Sequence, residues 1–124
     1  MHSIKEVADE FDVTYDALRY YEKEGLLTKV QRDTRGRREY SEANLEELSR
    51  VTHLRNLGAT VAETKRMMEI FDNAEDVSAY DEGIAFLKRL DTDLDHKIEG
   101  IKSQKNFLHK KIARITAERN KLQI

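Results

Sequence analysis

Tyr15, Asp16, Arg19, Tyr20 and Lys23 lie within the stretch TYDALRYYEKEGLL, Thr14 to Leu27. On a helix Asp16, Arg19, Tyr20 and Lys23 share an outward face, while Ala17, Leu18 and Tyr21 fall on the opposite one. A short amphipathic helix presenting Arg, Tyr and Lys suits the major groove of DNA, although a polar outer face is common to all surface helices. Asp16 has two chemistries open to it. It can accept from a cytosine amine in the groove, or pair within the helix with Arg19 or Lys23.

A second cluster comes directly after. Thr28 to Tyr40 reads TKVQRDTRGRREY, where Lys29, Arg32, Arg35, Arg37 and Arg38 face the lone acid Asp33 before Glu39. Arginine offers bidentate donors to phosphate oxygens, so the run suits a phosphate grip; a solvated charged loop is the plainer alternative. Val30 and Tyr40 are expected as inward residues of two short strands. Asp33 to Gly36 would be the turn between them, with Gly36 free to take a positive φ.

These side chains need elements to hold them. Ser3 to Phe11 predicts a first helix: Ser3 and Glu6 have capping-box spacing, and Ile4, Val7, Ala8 and Phe11 make one apolar face. Asp12 and Val13 turn the chain into Thr14, the N-cap of the second helix, which Gly25 ends in a left-handed conformation. Two short helices so joined read as a helix-turn-helix or as an ordinary helical hairpin. Ser41 opens a third helix with Glu42 in its first turn. Leu45, Leu48, Val51 or Thr52, and then Leu54 or Leu57 carry its apolar face to Gly58, which ends it. Thr60 and Glu63 repeat the capping box, and Val61, Thr64, Met67, Met68 and Phe71 give a fourth helix its buried face. Residues 72–80 read as a linker, with Ser78 able to cap the last helix.

From Leu87 every seventh residue is apolar: Leu87, Leu94, Ile101, Leu108, Ile115 and Leu122. The interleaved positions are Ile84, Asp91, Ile98, Lys105, Ile112 and Arg119. This is a heptad seam with charge at alternate positions of one core site. As a helix, Asp81 to Gln123 would span about 60 Å at 1.5 Å per residue. A small N-terminal domain cannot bury such a stripe, and a second copy of the chain is the simplest partner. The expected dimer contacts are Leu87, Leu94, Ile98, Ile101, Leu108, Ile112 and Ile115.

Composition narrows the classes. The chain has 124 residues with 37% charged and 7% aromatic side chains, which favours long solvated helices over a large globular core. A net charge of −2 gives no global basic field, so any case for nucleic acid is local. The absence of cysteine removes disulfides, thiolate metal sites and thiol redox sensing. No secretory or membrane-spanning pattern is seen, so a cytoplasmic protein is expected. No nucleophile–base set or phosphate-binding glycine loop points to an enzyme.

The strings IKEVADEFDVTYDALRYYEKEGLL (Ile4 to Leu27), RGRREYSEANLEEL (Arg35 to Leu48) and RNLGATVAET (Arg55 to Thr64) resemble the MerR family of transcription regulators. The resemblance spans about the first 70 residues. It implies a mainly α fold: a winged helix-turn-helix domain over 1–71 with a small β-hairpin wing, then a long antiparallel coiled-coil helix over 81–124. It also implies a dimer that binds a pseudo-palindromic operator in double-stranded DNA, distorts a promoter and works with RNA polymerase. By motif match, Thr14, Tyr15 and Arg19 sit where the recognition helix meets DNA, with Asp16 beside them. Tyr20 reaches the phosphate backbone and Tyr21 packs inside. Arg38 and Tyr40 match the wing's Arg and Tyr, next to Arg35 and Arg37. Arg55 precedes a loop resembling the second wing. Asp12 stands where the family often has Gly, and Arg37 where it often has an aromatic residue.

The sensors of the family use cysteines that this chain lacks, and its drug-binding members have a C-terminal domain not seen here. Asp91, Asp95 and His96 could hold a metal, but a solvated helix face is the favoured reading, and no cofactor is expected. Met67, Phe71, Tyr80 and Phe86 are read as packing rather than as a ligand pocket, and the effector is left open. Competing functions are an architectural DNA protein, such as a recombination factor, and a coiled-coil interaction module. The heptad seam counts against the first and the arginine-rich wing against the second.

Overall fold

The computed structural model describes residues 1–123. Ile124, the last residue of the expected coil, lies outside the described residues. The elements run in the order β1 (His2–Ser3), α1 (Ile4–Phe11), α2 (Tyr15–Lys23), β2 (Gln31–Arg32), β3 (Arg38–Tyr40), α3 (Glu42–Asn56), α4 (Val61–Asn73) and α5 (Val77–Lys121). The chain falls into two compact units, Met1–Ile84 and the residues from Ala85 on.

Capping chemistry sets the starts of the first four helices. Ser3 with Glu6 and Thr60 with Glu63 form the expected capping boxes, and Thr14 Oγ1 accepts from the Ala17 amide at 3.0 Å. Ser41 caps α3, with Asn44 completing that box. The same hydrogen bonding lowers the pKa of Glu6, chiefly through the Ser3 backbone amide. Asp12 takes the left-handed conformation (φ 53) needed between α1 and α2, a geometry that Asp tolerates better than most residues. Gly25 (φ 81) does the same at the end of α2.

The core of the first unit joins Val7 and Ala8 of α1, Leu18 and Tyr21 of α2, Leu26, Leu27 and Tyr40, and Leu48 and Val51 of α3 with Met68 of α4. Here the sheet differs from expectation. The two-stranded wing gains a third strand, β1, in the order β1-β3-β2. His2 lies opposite Tyr40, and Gln31 opposite Glu39, both pairings antiparallel. Two residues of strand immediately before a helix cap leave no period-two pattern to read.

Two expectations for α4 and α5 are corrected. Phe71 is 48% exposed and Ile70 is buried in its place. The start of α5 lies against the side of α4 that carries Arg66 and Ile70: a β-carbon on Gly83 would come within 3.3 Å of Ile70 Cγ2, and Arg66 binds Glu82 through Nε at 2.6 Å. The 72–80 linker shrinks to 74–76, because Asp76 rather than Ser78 caps α5, its Oδ1 accepting from the Ala79 amide at 2.8 Å.

α5 is one helix of 45 residues. Ile98, Ile101, Leu108, Ile112 and Ile115 are each about half or more exposed along it, and Leu87 is exposed too. Leu90, outside the expected seam, is buried. No helix among the described residues is long and apolar enough to cross a membrane.

Candidate nucleic-acid interface

α2 turns its sequence directly into a surface. Leu18 and Tyr21 are buried, which fixes the rotation of the helix and turns Tyr15 and Tyr20 outward at 40% and 46% exposure. Tyr21 is thus inside and Tyr20 outside. Arg19 bridges its neighbours one turn back. Its Nη1 donates to Asp16 Oδ1 at 2.8 Å, and its guanidinium carbon stands 6.0 Å from the centre of the Tyr15 ring. The intrahelical pair open to Asp16 is formed.

The wing tip is organised by its one acid. Asp33 Oδ1 accepts from the backbone amides of Arg35 and Arg37 at 2.8 and 2.9 Å, while Oδ2 accepts from Arg37 Nε at 2.8 Å. These bonds favour the carboxylate and hold its pKa below the usual range, the Arg37 backbone amide contributing most. Gly36 closes the turn with φ 79 and donates its amide to the Asp33 carbonyl at 3.0 Å. Arg35 is exposed, and its guanidinium makes no hydrogen bond or ion pair with the described residues. Arg32 Nη1 donates to the Gly36 carbonyl at 3.3 Å.

Arg38 ties the wing to α2. Its Nε donates to Glu22 Oε1 at 2.7 Å, and both side chains are less than a third exposed. Arg55 lies at the end of α3, where its Nη1 donates to the Ala59 carbonyl at 2.7 Å and stiffens the loop to Thr60. Tyr40 is corrected. It is fully buried beneath the wing (0% exposed), and burial raises the pKa of its phenol. It supports the strand from inside and presents no atom to DNA. Alternation along β3 explains this, since Tyr40 comes after outward-facing Glu39.

Residues 2–69 match the profile of the MerR HTH family regulatory proteins. The chain belongs to the MerR family. Among its relatives, the mercuric resistance operon regulatory protein of Bacillus cereus is 30% identical over 107 residues, 85% of this chain and 78% of that protein. The transcriptional regulator CueR of Escherichia coli O157:H7 is 29% identical over 106 residues, 86% of this chain and 77% of that one. Among solved structures, HiNmlR, a MerR family regulator lacking the sensor domain, was determined bound to promoter DNA. It aligns with a TM-score of 0.74 and 26% identity over 90% of this chain and 83% of its own. The N-terminal part of MtaN, the Bacillus subtilis multidrug transporter activator, aligns at 0.57 and 25% identity, over 84% and 97%.

This MerR-family chain is therefore a transcription regulator with a winged helix-turn-helix fold. Two supporting residues escaped the sequence reading. Asn44 is buried and donates through Nδ2 to the Thr28 carbonyl at 2.7 Å and to Glu47 at 2.9 Å, holding the entry to the wing against α3. Its three-residue spacing from Ser41 was the available signal. His2 Nε2 lies 2.6 Å from Glu42 Oε1 and ties β1 to the start of α3; no local pattern announces that. No group of three His, Asp or Glu side chains among the described residues is gathered as a metal ion would need.

Proposed function

We propose that this MerR-family chain acts as a homodimer that recognises a pseudo-palindromic promoter operator and distorts it to regulate transcription with RNA polymerase. The observation that carries the reading is the outward face of α2, Tyr15, Asp16 and Arg19, fixed by Arg38 and Glu22 beside a wing whose tip presents Arg35 and Arg37. A helix of this kind reads base edges, while the arginines position it on phosphate. Tyr20 extends the phosphate contact from the helix, Thr14 lies at its N-terminus, and Arg55 adds a second grip from the loop after α3.

The seam of α5, with Leu94 half-buried and Leu87, Ile98, Ile101, Leu108, Ile112 and Ile115 exposed, supports the homodimer. Two recognition helices about one turn of DNA apart, roughly 34 Å, would then read the two half-sites. Bending DNA costs about 1–6 kcal/mol, so a small change in the dimer is enough to switch a promoter. HiNmlR, bound to promoter DNA without a sensor domain, supports the DNA-bound part of this reading.

Genome-wide mapping of bound DNA tests it. The expected result is a small set of promoters sharing one inverted repeat between the polymerase-recognition elements. Dispersed binding without a symmetric sequence would instead favour an architectural role.

A further inference from the structure

Asp16 sits on a surface that is to meet a polyanion. Its side chain is 94% exposed, in the first turn of α2 beside Tyr15 and Arg19. A carboxylate there is repelled by every phosphate the helix approaches, so it lowers affinity for all DNA alike unless a base edge compensates. Support of the first helical turn through the dipole is the plain role for an acid in this place.

The nitrogen that Asp16 holds points to a second role. Asp16 Oδ1 accepts from Arg19 Nη1 at 2.8 Å. Nη1 is the terminal nitrogen remote from the Nε–H bond, so the edge formed by Nε and Nη2 stays whole. Among the described residues neither nitrogen of that edge, nor Asp16 Oδ2, has a hydrogen-bond partner. The Tyr15 ring, 6.0 Å from the guanidinium carbon, bounds the group from a second side. Arg19 is thus oriented before DNA arrives, with two parallel donors free and one free acceptor beside them.

Resting on the reading of the chain as a sequence-specific operator-binding protein, we propose that Asp16 and Arg19 read two adjacent base pairs as one unit. Arg19 gives Nε and Nη2 to N7 and O6 of a guanine, the pairing that fits a bidentate guanidinium edge. Asp16 Oδ2 accepts from an exocyclic amine on the neighbouring pair, N4 of cytosine or N6 of adenine. Guanine and thymine offer only acceptors in the major groove, and these repel the carboxylate. The ion pair joins the two readings: Oδ1 positions the guanidinium while Oδ2 tests the next base. Asp16 therefore acts chiefly by exclusion. On a wrong base its charge faces oxygen lone pairs and phosphate uncompensated, so specificity grows through poorer binding elsewhere rather than tighter binding to the operator.

Selection of bound sequences from a random duplex library, with the unsubstituted chain and with Asp16→Ala, tests this. The unsubstituted chain should return a guanine beside a cytosine or adenine in each half-site. Asp16→Ala should lose the preference at the neighbouring pair, about tenfold, and weaken that for guanine, while its affinity for scrambled DNA holds or rises. Arg19→Ala should lose the preference for guanine itself. A half-site that Asp16→Ala selects unchanged overturns the proposal, and so does a change confined to the guanine pair. Equal loss of affinity for operator and scrambled DNA overturns it as well. So does a lower melting temperature with unaltered base preference, the result expected of an acid that only supports the first helical turn. A library that yields no common sequence from the unsubstituted chain refutes instead the sequence-specific reading on which the pair depends.

Discussion

Arg38 Nε and Glu22 Oε1, 2.7 Å apart and both largely shielded, join the last strand of the wing to the outer half of α2. One ion pair therefore fixes the angle between the part expected to read bases and the part expected to hold phosphate. Glu22→Ala should cost about 1–2 kcal/mol of stability, between the values for exposed and for buried pairs. It should also weaken DNA binding at low salt, even though it removes a negative charge. Denaturant unfolding and DNA titration check the two parts. Tighter binding by the variant would show that Glu22 competes with phosphate for Arg38 rather than positioning it.

The hydroxyl of Tyr40 is buried and has no hydrogen-bond partner among the described residues. An unsatisfied buried hydroxyl is costly, so Tyr40→Phe should leave the fold intact and raise stability by about 1 kcal/mol. DNA affinity should stay as in the unsubstituted chain, since the ring lies under β3. A loss of affinity without loss of stability would return Tyr40 to the interface.

Acid should loosen the protein from its caps and its wing. The folded pKa values of Asp33, Glu6 and Glu82 are all lowered: Asp33 chiefly by the Arg37 amide, Glu6 by the Ser3 amide and Glu82 by the Arg66 guanidinium. A lowered folded pKa contributes stability that is fully present above the ordinary carboxylate range and is lost as pH falls through the folded value. The melting temperature should thus decline as pH drops below that range. Asp33→Asn should melt lower at neutral pH and show a flatter decline. Parallel pH profiles for the two proteins would remove Asp33 from the account.

Much of the first unit was legible because helix starts carry local chemistry: Ser3, Thr14, Ser41 and Thr60 each cap the helix expected of them. The register of α2 was legible for the same kind of reason, since Leu18 and Tyr21 have one buried face to share. What sequence did not show is what depends on a distant neighbour. Ile70 displaces Phe71 from the core because of where α5 begins, and β1 exists because β3 offers it an edge. Asp33 looked like the odd charge in a basic run, yet its carboxylate holds the turn that presents that run.

Arg35 and Arg19 should fail in different ways. Arg35 is exposed at the wing tip, so Arg35→Ala should weaken binding to all DNA alike. It should also reduce the slope of log K against log salt by about 1. Arg19 lies beside Tyr15 and Asp16 on the outward face of α2. Arg19→Ala should relax preference at one base pair, by about 1–3 kcal/mol where the contact is bidentate. Binding measured on an operator and on scrambled DNA across a salt series separates the two. Identical profiles for both variants would mean that Arg19 contacts only phosphate.

Leu94→Asp with Ile101→Asp puts charge into the middle of the α5 seam. These residues are absent from the hydrophobic core of the first unit, so that unit should keep its fold. In a dimer the substitution would place four carboxylates in the middle of the seam, where burial disfavours each charge. The expected outcome is a monomer in sedimentation. Operator affinity should fall much further than affinity for a single half-site, because linked half-sites raise the effective concentration of the second head. The comparison between full operator and half-site matters because it separates loss of the twin from damage to the reading head. A variant that sediments as an intact dimer would place the dimer interface elsewhere on the chain.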